Sequence, residues 1–433
     1  MSQYRAYPAY KDSGVEWIGQ VPEHWKIAQI KRISALNPRK STLSEEKDSL
    51  CTFLPMEKLR TNAVTLDETR PIHEVYGGYS YFCDGDILIA KVTPCFENGN
   101  IAVANGLVNG IGFGSTEINV LRVNGKGHNR FLYYRLQEEQ FRTIAKSEMR
   151  GTGGLKRVPT DLFESFTIGL PDTDEQATIA ATLDRETARI DVLVEKKTRF
   201  IELMKEKRQA LITHAVTKGL DPNVKMKDSG VEWIGQVPEH WKVARVKRLV
   251  SLRNERRNDV STDTIYIGLE DVEAGSGQYK PTNGSSRQSE DSTVGIFYEG
   301  DVLYGKLRPY LRKAIISEMA GCCSTEFLVL RAEKTEPRWL QEWLLTPDVT
   351  HQIESGCEGA KMPRADWGHI GSIEVVYPDQ PEQAQILTTL DRETARIDAL
   401  ISKVEQSITL LKERRSAFIT AAVTGQIDLR GKQ

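Results

Sequence analysis

The sequence predicts an α+β protein in which two copies of one mixed unit each precede a long helix, the two helices pairing as an antiparallel coiled coil. Three observations support this prediction. Long stretches of the first half of the chain return in the second half. Each half ends in a heptad-like pattern of apolar residues that lacks internal glycine. Short β-branched or apolar runs, most of them close to turn residues, come before each of these patterns.

The internal repeat is strongest at its two ends. The sixteen residues KDSGVEWIGQVPEHWK stand unchanged at Lys11–Lys26 and at Lys227–Lys242, and LDRETARID begins at both Leu183 and Leu390. A period of about 210 residues is too long for a solenoid, so it indicates a tandem domain duplication with pseudo-two-fold geometry. We therefore expect globular units at 11–171 and 227–378, with long helices at 172–219 and 379–425.

The two copies are also clearly unlike in places. Leu43–Tyr81 bears little likeness to Val260–Ile296, and Thr93–Gly114 bears little to Arg308–Cys323. Matched segments suggest a shared task, such as packing or holding the same partner twice, whereas unmatched segments suggest modules that read different things. Simple drift in surface loops is the alternative explanation.

Both long helices have recognisable beginnings and ends. Asp172 with Glu175, and Asp379 with Glu382, have the spacing of a capping box directly after a proline. Glycine follows each pattern, at positions 219 and 425, where a helix would end. Each helix would span roughly 70 Å at 1.5 Å per residue, which is too long to be buried in its own unit.

The expected seam between the helices consists of apolar residues spaced alternately by four and three. Its members are Ile190, Val194, Ile201, Met204 and Leu211 in the first helix, and Ile397, Ile401, Val404, Ile408, Leu411 and Phe418 in the second. Lys197, Arg208 and Arg415 interrupt the pattern. These cations either extend to water from the flank of the seam or set its register.

The globular units are predicted to contain a mostly antiparallel or mixed sheet. The strand-like runs are Ile87–Val92, Ile118–Val123, Ile265–Leu269, Val302–Tyr304 and Phe327–Leu330. Phe131–Leu136 and Trp339–Leu345 are typical of short helices.

Composition excludes several classes of protein. The chain of 433 residues is 39% hydrophobic and 27% charged, so wholesale disorder is not expected. It has no apolar run long enough for a bilayer span and no secretory signal at its start, and its six cysteines form no C-x-x-C pair. A cytoplasmic protein is therefore expected. The net charge of −2 leaves room for local basic patches that could bind nucleic acid.

Basic residues cluster at several points inside both units. A Gly-rich loop of the first unit, GTGGLKR, has the counterpart GCEGAKMPR, and such loops let backbone approach phosphates while Lys and Arg neutralise them. The candidate DNA-binding residues are Lys31, Arg32, Arg39, Lys40, Lys91, Arg150, Lys156, Arg157, Lys247, Arg248, Arg253, Arg256, Arg257, Arg287, Lys306, Arg308, Arg312, Lys361 and Arg364. Candidates for base reading in the unlike loops are Asn98, Asn100, Arg287 and Gln288, each of which also suits a turn.

A search for catalytic motifs finds none. The sequence has no phosphate-binding P-loop, no H-E-x-x-H, no G-x-S-x-G elbow and no N-P-P-Y or D-P-P-Y. Asp86 to Lys91 and Asp301 to Lys306 lack the acidic residue that a metal-dependent nuclease needs two places before the lysine. His24 and His240, each beside a tryptophan, are interpreted as packing residues rather than metal ligands. We expect no catalytic residue and no metal site.

The chain resembles the specificity subunit of type I restriction–modification systems. The resemblance rests on GDILIAK and GDVLYGK, on YIGLEDVEAGSG from Tyr266, on the paired STE-x-x-VLR segments, and on the P-x-x-x-EQ entry into each long helix. The duplicated layout, which covers nearly the whole chain, is more specific than any single motif. The first unit has only FLPMEKLRTNAV where YIGLEDVEAGSG would be expected.

The resemblance implies two target-recognition domains that each read one half of a split, asymmetric DNA site. It implies that the helices measure the unread spacer and dock two modification subunits, which carry S-adenosylmethionine and methylate adenine at N6. ATP-dependent restriction subunits, which translocate DNA and require Mg²⁺, would join through that complex, and this chain would itself bind no cofactor. The alternatives are the specificity component of a motor-less restriction–modification system, a coiled-coil scaffold without DNA binding, and a stand-alone nuclease.

Overall fold

A computed structural model of the chain describes residues 4–43, 46, 48–152, 154–261, 263–282, 292–357, 359 and 361–431. The chain divides into two units. The first unit comprises residues 1–197 together with 406–433, and the second comprises residues 198–405. Each unit thus holds one β-rich region, the start of the helix that follows that region, and the end of the other long helix.

The β-strands of the first unit are short, as the brief apolar runs of the sequence predict. In chain order they are Tyr10–Asp12 (β1), Gln20–Pro22 (β2), Lys26–Gln29 (β3), Ser34–Leu36 (β4), Leu50–Leu54 (β5), Leu59–Arg60 (β6), Ala63–Val64 (β7), Thr69–Pro71 (β8), Ser80–Cys83 (β9), Ile87–Ala90 (β10), Ile101–Val103 (β11), Ile111–Gly114 (β12), Ile118–Val123 (β13) and Thr167–Leu170 (β14). The helices are Ile72–Val75 (α1), Asn129–Gln137 (α2), Glu139–Ser147 (α3), Thr160–Ser165 (α4) and the long helix Thr173–Lys218 (α5), which continues into the second unit.

Two four-stranded sheets form the centre of the first unit. The first sheet has the order β11-β10-β13-β4 and is antiparallel throughout, with Ile89 opposite Asn119 in its central pair. The second sheet has the order β8-β5-β12-β9 and contains one parallel pair, β5 with β12. The prediction of an α+β unit with a mixed sheet is therefore confirmed.

The second unit uses a similar set of strands and helices. Its strands are Met226–Asp228 (β15), Gln236–Pro238 (β16), Lys242–Arg245 (β17), Val250–Leu252 (β18), Arg256–Arg257 (β19), Tyr266–Ile267 (β20), Val294–Phe297 (β21), Val302–Gly305 (β22), Ala314–Ile316 (β23), Gly321–Cys323 (β24), Phe327–Ala332 (β25) and Glu374–Tyr377 (β26). Its helices are Pro337–Leu344 (α6), Pro347–Ser355 (α7), Trp367–Ser372 (α8) and the long helix Gln380–Val423 (α9), which ends in the first unit.

The first sheet is repeated in the second unit, whereas the other sheet is repeated only in part among the residues that the structure describes. The order β18-β25-β22-β23 reproduces β4-β13-β10-β11 strand for strand. The other sheet, β19-β21-β24-β20, keeps the three strands that correspond to β9, β12 and β5, including the parallel pair. Its fourth strand is added beside β21, at the edge opposite to the one where β8 lies in the first unit.

The first turn of each long helix is bound by the histidine and the tryptophan of the repeated P-E-H-W segment. In the first unit Glu175 accepts a hydrogen bond from Trp25 Nε1 at 3.3 Å, and its other oxygen lies 2.8 Å from His24 Nε2. In the second unit the matching Glu382 lies 3.1 Å from Trp241 Nε1 and 2.7 Å from the Nε2 of its histidine. The histidines therefore pack at a helix start, as expected. The capping boxes are only half formed, because these glutamates turn to the indole and the imidazole instead of to the cap backbone.

The glutamine that follows each of these glutamates is completely buried and joins the helix to its own unit. The amide of Gln176 donates to Pro171 O and Lys126 O, and its oxygen accepts from the backbone of His128. Gln383 makes matching contacts with Pro378 O and with the backbone of residue 336. The E-Q pair at each helix entry thus has a structural function.

The repeated LDRETARID segment receives the short helix of each unit. Asp184 accepts hydrogen bonds from Arg130 Nε at 2.9 Å and from the Tyr134 hydroxyl at 2.7 Å. In the second unit Arg338 lies 4.0 Å from Asp391. Since the same aspartate is met by an arginine at the same helix position in both units, the repeat of this segment is explained by packing.

The long helices pack against each other inside each unit, and they run antiparallel. In the second unit Arg208 of α5 lies 3.1 Å from Asp398 of α9, while Ile212 of α5 packs in one cluster with Ile386, which lies earlier in α9. In the first unit Arg415 lies 2.9 Å from Asp191. Lys197 is half-buried. The cations that interrupt the heptads at 208 and 415 thus form ion pairs across the two helices, at the partly exposed edge of the seam.

The predicted seam residues are all buried or half-buried: Ile190, Ile201, Ile397, Ile401 and Phe418 are buried, and Val194, Met204, Leu211, Val404, Ile408 and Leu411 are half-buried. The glycines expected to end the helices have φ of 77° at both Gly219 and Gly425, and the helices end one or two residues before them. None of the described helices is long and apolar enough to cross a membrane.

Candidate nucleic-acid interface

Several of the basic residues predicted from the sequence lie at the two ends of the first sheet in each unit. In the first unit Lys91 lies beside Glu117, directly before β13, whereas Asn124, directly after β13, bonds to the backbone of Arg32. A strand of six residues separates these points by about 20 Å. The cluster that includes Lys91, Lys156 and Arg157 is called here the loop end, and the cluster of Lys31 with Arg32 the turn end.

The loop end of the first unit is built by three chain segments that hydrogen-bond through their backbones. Lys91 N donates to Glu117 O at 3.0 Å, and Val158 N donates to Lys91 O at 2.8 Å. Thr93 extends this contact, since its N donates to Lys156 O and its hydroxyl to Gly154 O. The Gly-rich loop is thereby held against the residues that follow strand β10.

The loop end of the second unit has the same construction. Lys306 N donates to Glu326 O at 2.9 Å, and Ala365 N donates to Lys306 O at 2.8 Å. Arg308 N donates to Pro363 O at 2.8 Å. The loops therefore occupy equivalent places, although GTGGLKR and GCEGAKMPR differ in sequence and length.

An ion pair between a carboxylate and an arginine closes both loop ends. Arg157 binds both carboxylate oxygens of Glu117, the shortest distance being 2.7 Å, and Arg364 lies 3.2 Å from Glu326. The arginine beside Glu117 lowers the pKa of that carboxyl. Both glutamates belong to the repeated S-T-E segments, so the sequence contained the signal for this pair, but the pairing itself was not predicted.

Only a glycine fits at the bend of the first loop. Gly151 has φ of 147°, and a Cβ there would lie 2.2 Å from the carbonyl oxygen of Leu155. This close approach fixes where the following Lys156 leaves the loop. Lys156 and Arg150 are exposed, and Arg150 lies 3.9 Å from Glu148.

The turn end carries adjacent cations in both units. Lys31 and Arg32 are exposed in a 3₁₀ turn, Ile30–Arg32, and Lys247 and Arg248 are exposed in the matching turn, Val246–Arg248. The structure thus does not bring these residues together with Lys91 or Lys306. The described basic side chains of each unit form two separate clusters and no single continuous patch.

Several other predicted DNA-binding residues are committed to contacts inside their own unit. Lys40 donates to Tyr76 O at 2.7 Å, and burial lowers its pKa. Arg253 is paired at 2.7 Å with the buried Asp301. Arg312 donates to Leu345 O at 3.3 Å. Free reach toward a duplex is therefore smaller for these three residues than their position in the sequence suggested.

Other candidates remain at the surface. Arg39, Arg256, Arg308 and Lys361 are exposed, while Arg257 is exposed but lies 2.6 Å from Glu255. Arg308 has a positive φ of 53°, which is uncommon for a residue with a side chain. Arg287 and Gln288 lie outside the described residues.

The base-reading candidates of the first unit separate into one exposed and one buried residue. Asn98 is exposed, whereas Asn100 is 6% exposed. Asn100 also accepts at its backbone from Ala90, which places it inside the first sheet. A base edge could therefore reach only Asn98 of these two.

Features that would indicate another kind of site are missing from the part of the chain that the structure describes. Among those residues no group of three or more His, Cys, Asp or Glu side chains could hold a metal ion, and the six cysteines, all of which lie in the described ranges, form no disulfide. Each unit has one open groove beside the long helices, of about 1270 Å³ in the second unit and about 720 Å³ in the first. Both are lined by the cross-helix Arg–Asp pair of that unit.

Comparison with known proteins gives consistent results. A family profile described as "Type I restriction modification DNA specificity domain" matches residues 22–202. The chain is 32% identical over 167 residues to the type I restriction enzyme EcoEI specificity subunit of Escherichia coli, which covers 38% of this chain and 28% of that subunit. It is 25% identical over 443 residues to the MjaVIII specificity subunit of Methanocaldococcus jannaschii, covering 95% of each chain.

Solved structures show the same fold. A chain from a structure described as the basis of "complex assembly and conformational transition of the type I R-M system" superposes with a TM-score of 0.73 at 16% identity, covering 94% of this chain and 99% of that one. The HsdS subunit from Thermoanaerobacter tengcongensis superposes with a TM-score of 0.55 at 16% identity, covering 94% and 98%.

The matches to the two more identical relatives are partial. The matched region spans 28% of the EcoEI subunit and 27% of the EcoAI subunit of Escherichia coli, to which the chain is 36% identical over 163 residues. The profile match covers the first repeat, and the second repeat carries the same sheet, loop end and helix entry. Residues 22–202 thus match the type I restriction–modification DNA specificity domain, and the chain as a whole has the fold of the specificity subunits to which it is similar.

Proposed function

We propose that this chain is the non-catalytic DNA-recognition subunit of a type I restriction–modification enzyme and that each β-rich unit reads one half of a bipartite, asymmetric site. The observation that carries the proposal is the pattern of likeness between the units. They share the first sheet, the loop end and the turn end, but within the described ranges they differ in the edge strand of the second sheet. A shared frame with unlike additions suits two readers that hold the same kind of ligand and recognise different sequences.

The DNA-facing residues in this proposal are the exposed cations among the candidates predicted from the sequence. Phosphate contacts supply most of the affinity for a duplex, whereas amide and arginine side chains in unlike loops read base edges. The whole set of candidates from the sequence stays a prediction, with Lys40, Arg253 and Arg312 given less weight because each has a partner in its own unit. The division at 11–171, 172–219, 227–378 and 379–425 also stays a prediction.

The long helices are the proposed docking surface for two modification subunits and the proposed measure of the unread spacer. At 46 and 44 residues they are continuous elements of about 70 Å. S-adenosylmethionine, ATP and Mg²⁺ would be bound by the modification and restriction subunits, and this chain would contribute no catalytic residue. The cytoplasm, where bacterial DNA is accessible, is the proposed location.

Methylation mapping tests the proposal directly. DNA from cells that express the modification subunit is compared with and without this chain, and adenine methylation at a split sequence is expected only with it. Replacing residues 30–165, the unlike part of the first unit, by those of another specificity subunit should change one half of the site. Unchanged methylation patterns with and without the chain, or a change in both halves after the exchange, would contradict it.

A further inference from the structure

The loop ends raise a question that packing does not answer, namely why a lysine stands at both 91 and 306. Their contacts to the neighbouring segments are made by backbone N–H and C=O groups. Backbone hydrogen bonds of this kind do not depend on which side chain the residue carries. The ammonium groups of both lysines make no hydrogen bond or ion pair with any residue that the structure describes.

The neighbouring arginines are explained by packing, and this separates them from the lysines. Arg157 and Arg364 are 48% and 56% exposed at the side chain, but each is matched by one carboxylate, Glu117 or Glu326. An arginine that is already neutralised adds little net attraction for an anion. Its bidentate or paired contact does fix the end of the Gly-rich loop against the S-T-E turn.

The charge that remains at each loop end is positive. In the first unit Lys91, Lys156 and Arg157 face one acid, Glu117. In the second unit the joined segments carry four cations, Lys306, Arg308, Lys361 and Arg364, and two acids, Glu326 and Glu358. Two half-buried lysines thus lie at equivalent points beside the Gly-rich loops, together with further exposed cations.

We infer that Lys91 and Lys306 are equivalent contacts to DNA phosphates, used by both units whatever the base sequence, and that Arg157 and Arg364 are positioning residues that hold the Gly-rich loop beside them. The inference rests on the proposed function and divides its interface into two parts. Contacts common to both units position the duplex, and contacts that differ between the units read it. Phosphates are the chemistry that two readers of unlike half-sites share.

A role of these lysines in base reading is disfavoured because the same residue type stands at the same position in both units. Two readers of different half-sites would not need the same lysine on the same backbone frame. The amide and arginine residues of the unlike segments, such as the exposed Asn98, are better placed to differ between the units. A phosphate contact also tolerates any sequence, which suits a residue retained in both copies.

The test measures DNA affinity as a function of salt for the chain in complex with its modification subunit. Lys91→Gln, Lys306→Gln and the double variant are compared with the parent on two duplexes, one carrying the mapped methylation site and one with that site scrambled. Each single variant should lower the steepness of log Kd against log[KCl] by about 1, and the double variant by about 2. The loss of affinity should be the same factor on both duplexes.

A matched pair of lysines provides the control. Lys126 and Lys334 occupy equivalent exposed positions after β13 and β25, at the other end of the same strands. Lys126→Gln and Lys334→Gln remove the same charge, and we expect the salt dependence of the parent. Circular dichroism and recovery of the complex with the modification subunit check that each variant is folded.

Rescue separates the positioning role of Arg157 from direct contact. Arg157→Glu should weaken binding, and the added exchange Glu117→Arg should restore most of it, because the ion pair that holds the loop is rebuilt with reversed polarity. A direct phosphate contact by Arg157 would be restored less than half-way, since the cation would then stand on another segment.

The outcomes distinguish this inference from the function on which it rests. Parent complex that binds DNA, together with lysine variants of unchanged salt dependence, would overturn the phosphate contact and leave the DNA-recognition function intact. Loss confined to the duplex with the mapped site would identify the lysines as base readers and overturn the inference as well. A parent complex that binds neither duplex would overturn both.

Discussion

The two units are most alike at the backbone of their first sheets and least alike at the edge of their second sheets. β13 and β25 have the same neighbours in the same order. In the other sheet the added edge strand is β8 in one unit and β19 in the other, on opposite sides of a common three-stranded centre. Because exposed edges and loops tolerate change better than a central ladder, this difference shows where the two units can diverge without losing their common frame.

The comparison extends to buried charges. Asp86 and Asp301 stand at the same place in the G-D segments, and each accepts a hydrogen bond from a backbone N–H three residues earlier. Their arginine partners come from different strands, however. Arg122 of β13 neutralises Asp86, whereas Arg253, which follows β18, neutralises Asp301. Both units therefore place an arginine beside this buried aspartate, but the arginine comes from a different strand in each unit.

At a second buried site the two units carry side chains of different chemical types. Arg135, at the end of α2, pairs with Glu138 and both side chains are 1% exposed. The equivalent end of α6 carries Trp343 and Thr346, both fully buried or nearly so. Burial lowers the pKa of Arg135. An ion pair can therefore be replaced at this place by an aromatic residue and a hydroxyl while the helix keeps its position.

The largest effect is expected from breaking this buried ion pair. Glu138→Ala leaves the Arg135 charge without a partner in the core and removes the acceptor for Gln140 N, so the first unit should lose about 3–5 kcal/mol of stability. Amide hydrogen exchange in α2 and α3 of the full chain measures it. Arg135→Met in the same chain should recover most of the loss, because the unpaired charge is then gone.

The matched variant in the second unit is Thr346→Ala. It removes only the hydrogen bond from the Thr346 hydroxyl to Trp343 O, so about 1 kcal/mol is expected there. Similar losses for Glu138→Ala and Thr346→Ala would mean that the charge pair is not the feature that distinguishes the two sites.

Double-mutant cycles on the G-D aspartates should give the next largest effect. Asp86→Ala and Asp301→Ala each strand an arginine, with an expected loss of about 3 kcal/mol in the unit concerned. Arg122→Met should offset the first loss and Arg253→Met the second. Since the arginines belong to different strands, the crossed combinations should be additive. Thermal unfolding followed by hydrogen exchange distinguishes the two units.

The features of the fold that could be predicted from the sequence are those that follow from its apolar periodicity and its internal repeat. Apolar spacing and turn residues act over short distances. They predicted the helix ends at Gly219 and Gly425, the antiparallel pairing of the long helices and the strands around Lys91. Contacts between segments that are distant in the sequence could not be predicted in this way. The pairing of Glu117 with Arg157 spans forty residues, and the division of the cations between two ends of one sheet follows from the direction of β13, which no local pattern records.

The anchors at the helix starts offer a smaller contrast. Glu175 is 4% exposed at the side chain and also accepts from the Tyr7 hydroxyl, whereas Glu382 is 30% exposed. Glu175→Gln should therefore cost about 2 kcal/mol and Glu382→Gln about 1 kcal/mol, because hydrogen bonds to a charged acceptor weaken more where water is excluded. Hydrogen exchange in the first turns of α5 and α9 measures both. A larger effect in α9 would contradict the ranking by burial.

The smallest effect on stability is expected at the cross-helix pairs, although their consequence for geometry is the most specific. Arg208 and Arg415 are 23% and 17% exposed, and their partners Asp398 and Asp191 are about half exposed, so each pair should contribute only about 0.2–1 kcal/mol. A charged residue in an apolar seam nevertheless disfavours a shifted register, because a shift by one heptad would leave the arginine without its aspartate. Arg208→Asp should therefore raise the exchange of amides between residues 204 and 212, and the exchanged pair Arg208→Asp with Asp398→Arg should restore the parent pattern. Equal exchange in the single and the paired variants would mean that apolar packing alone fixes how the helices align.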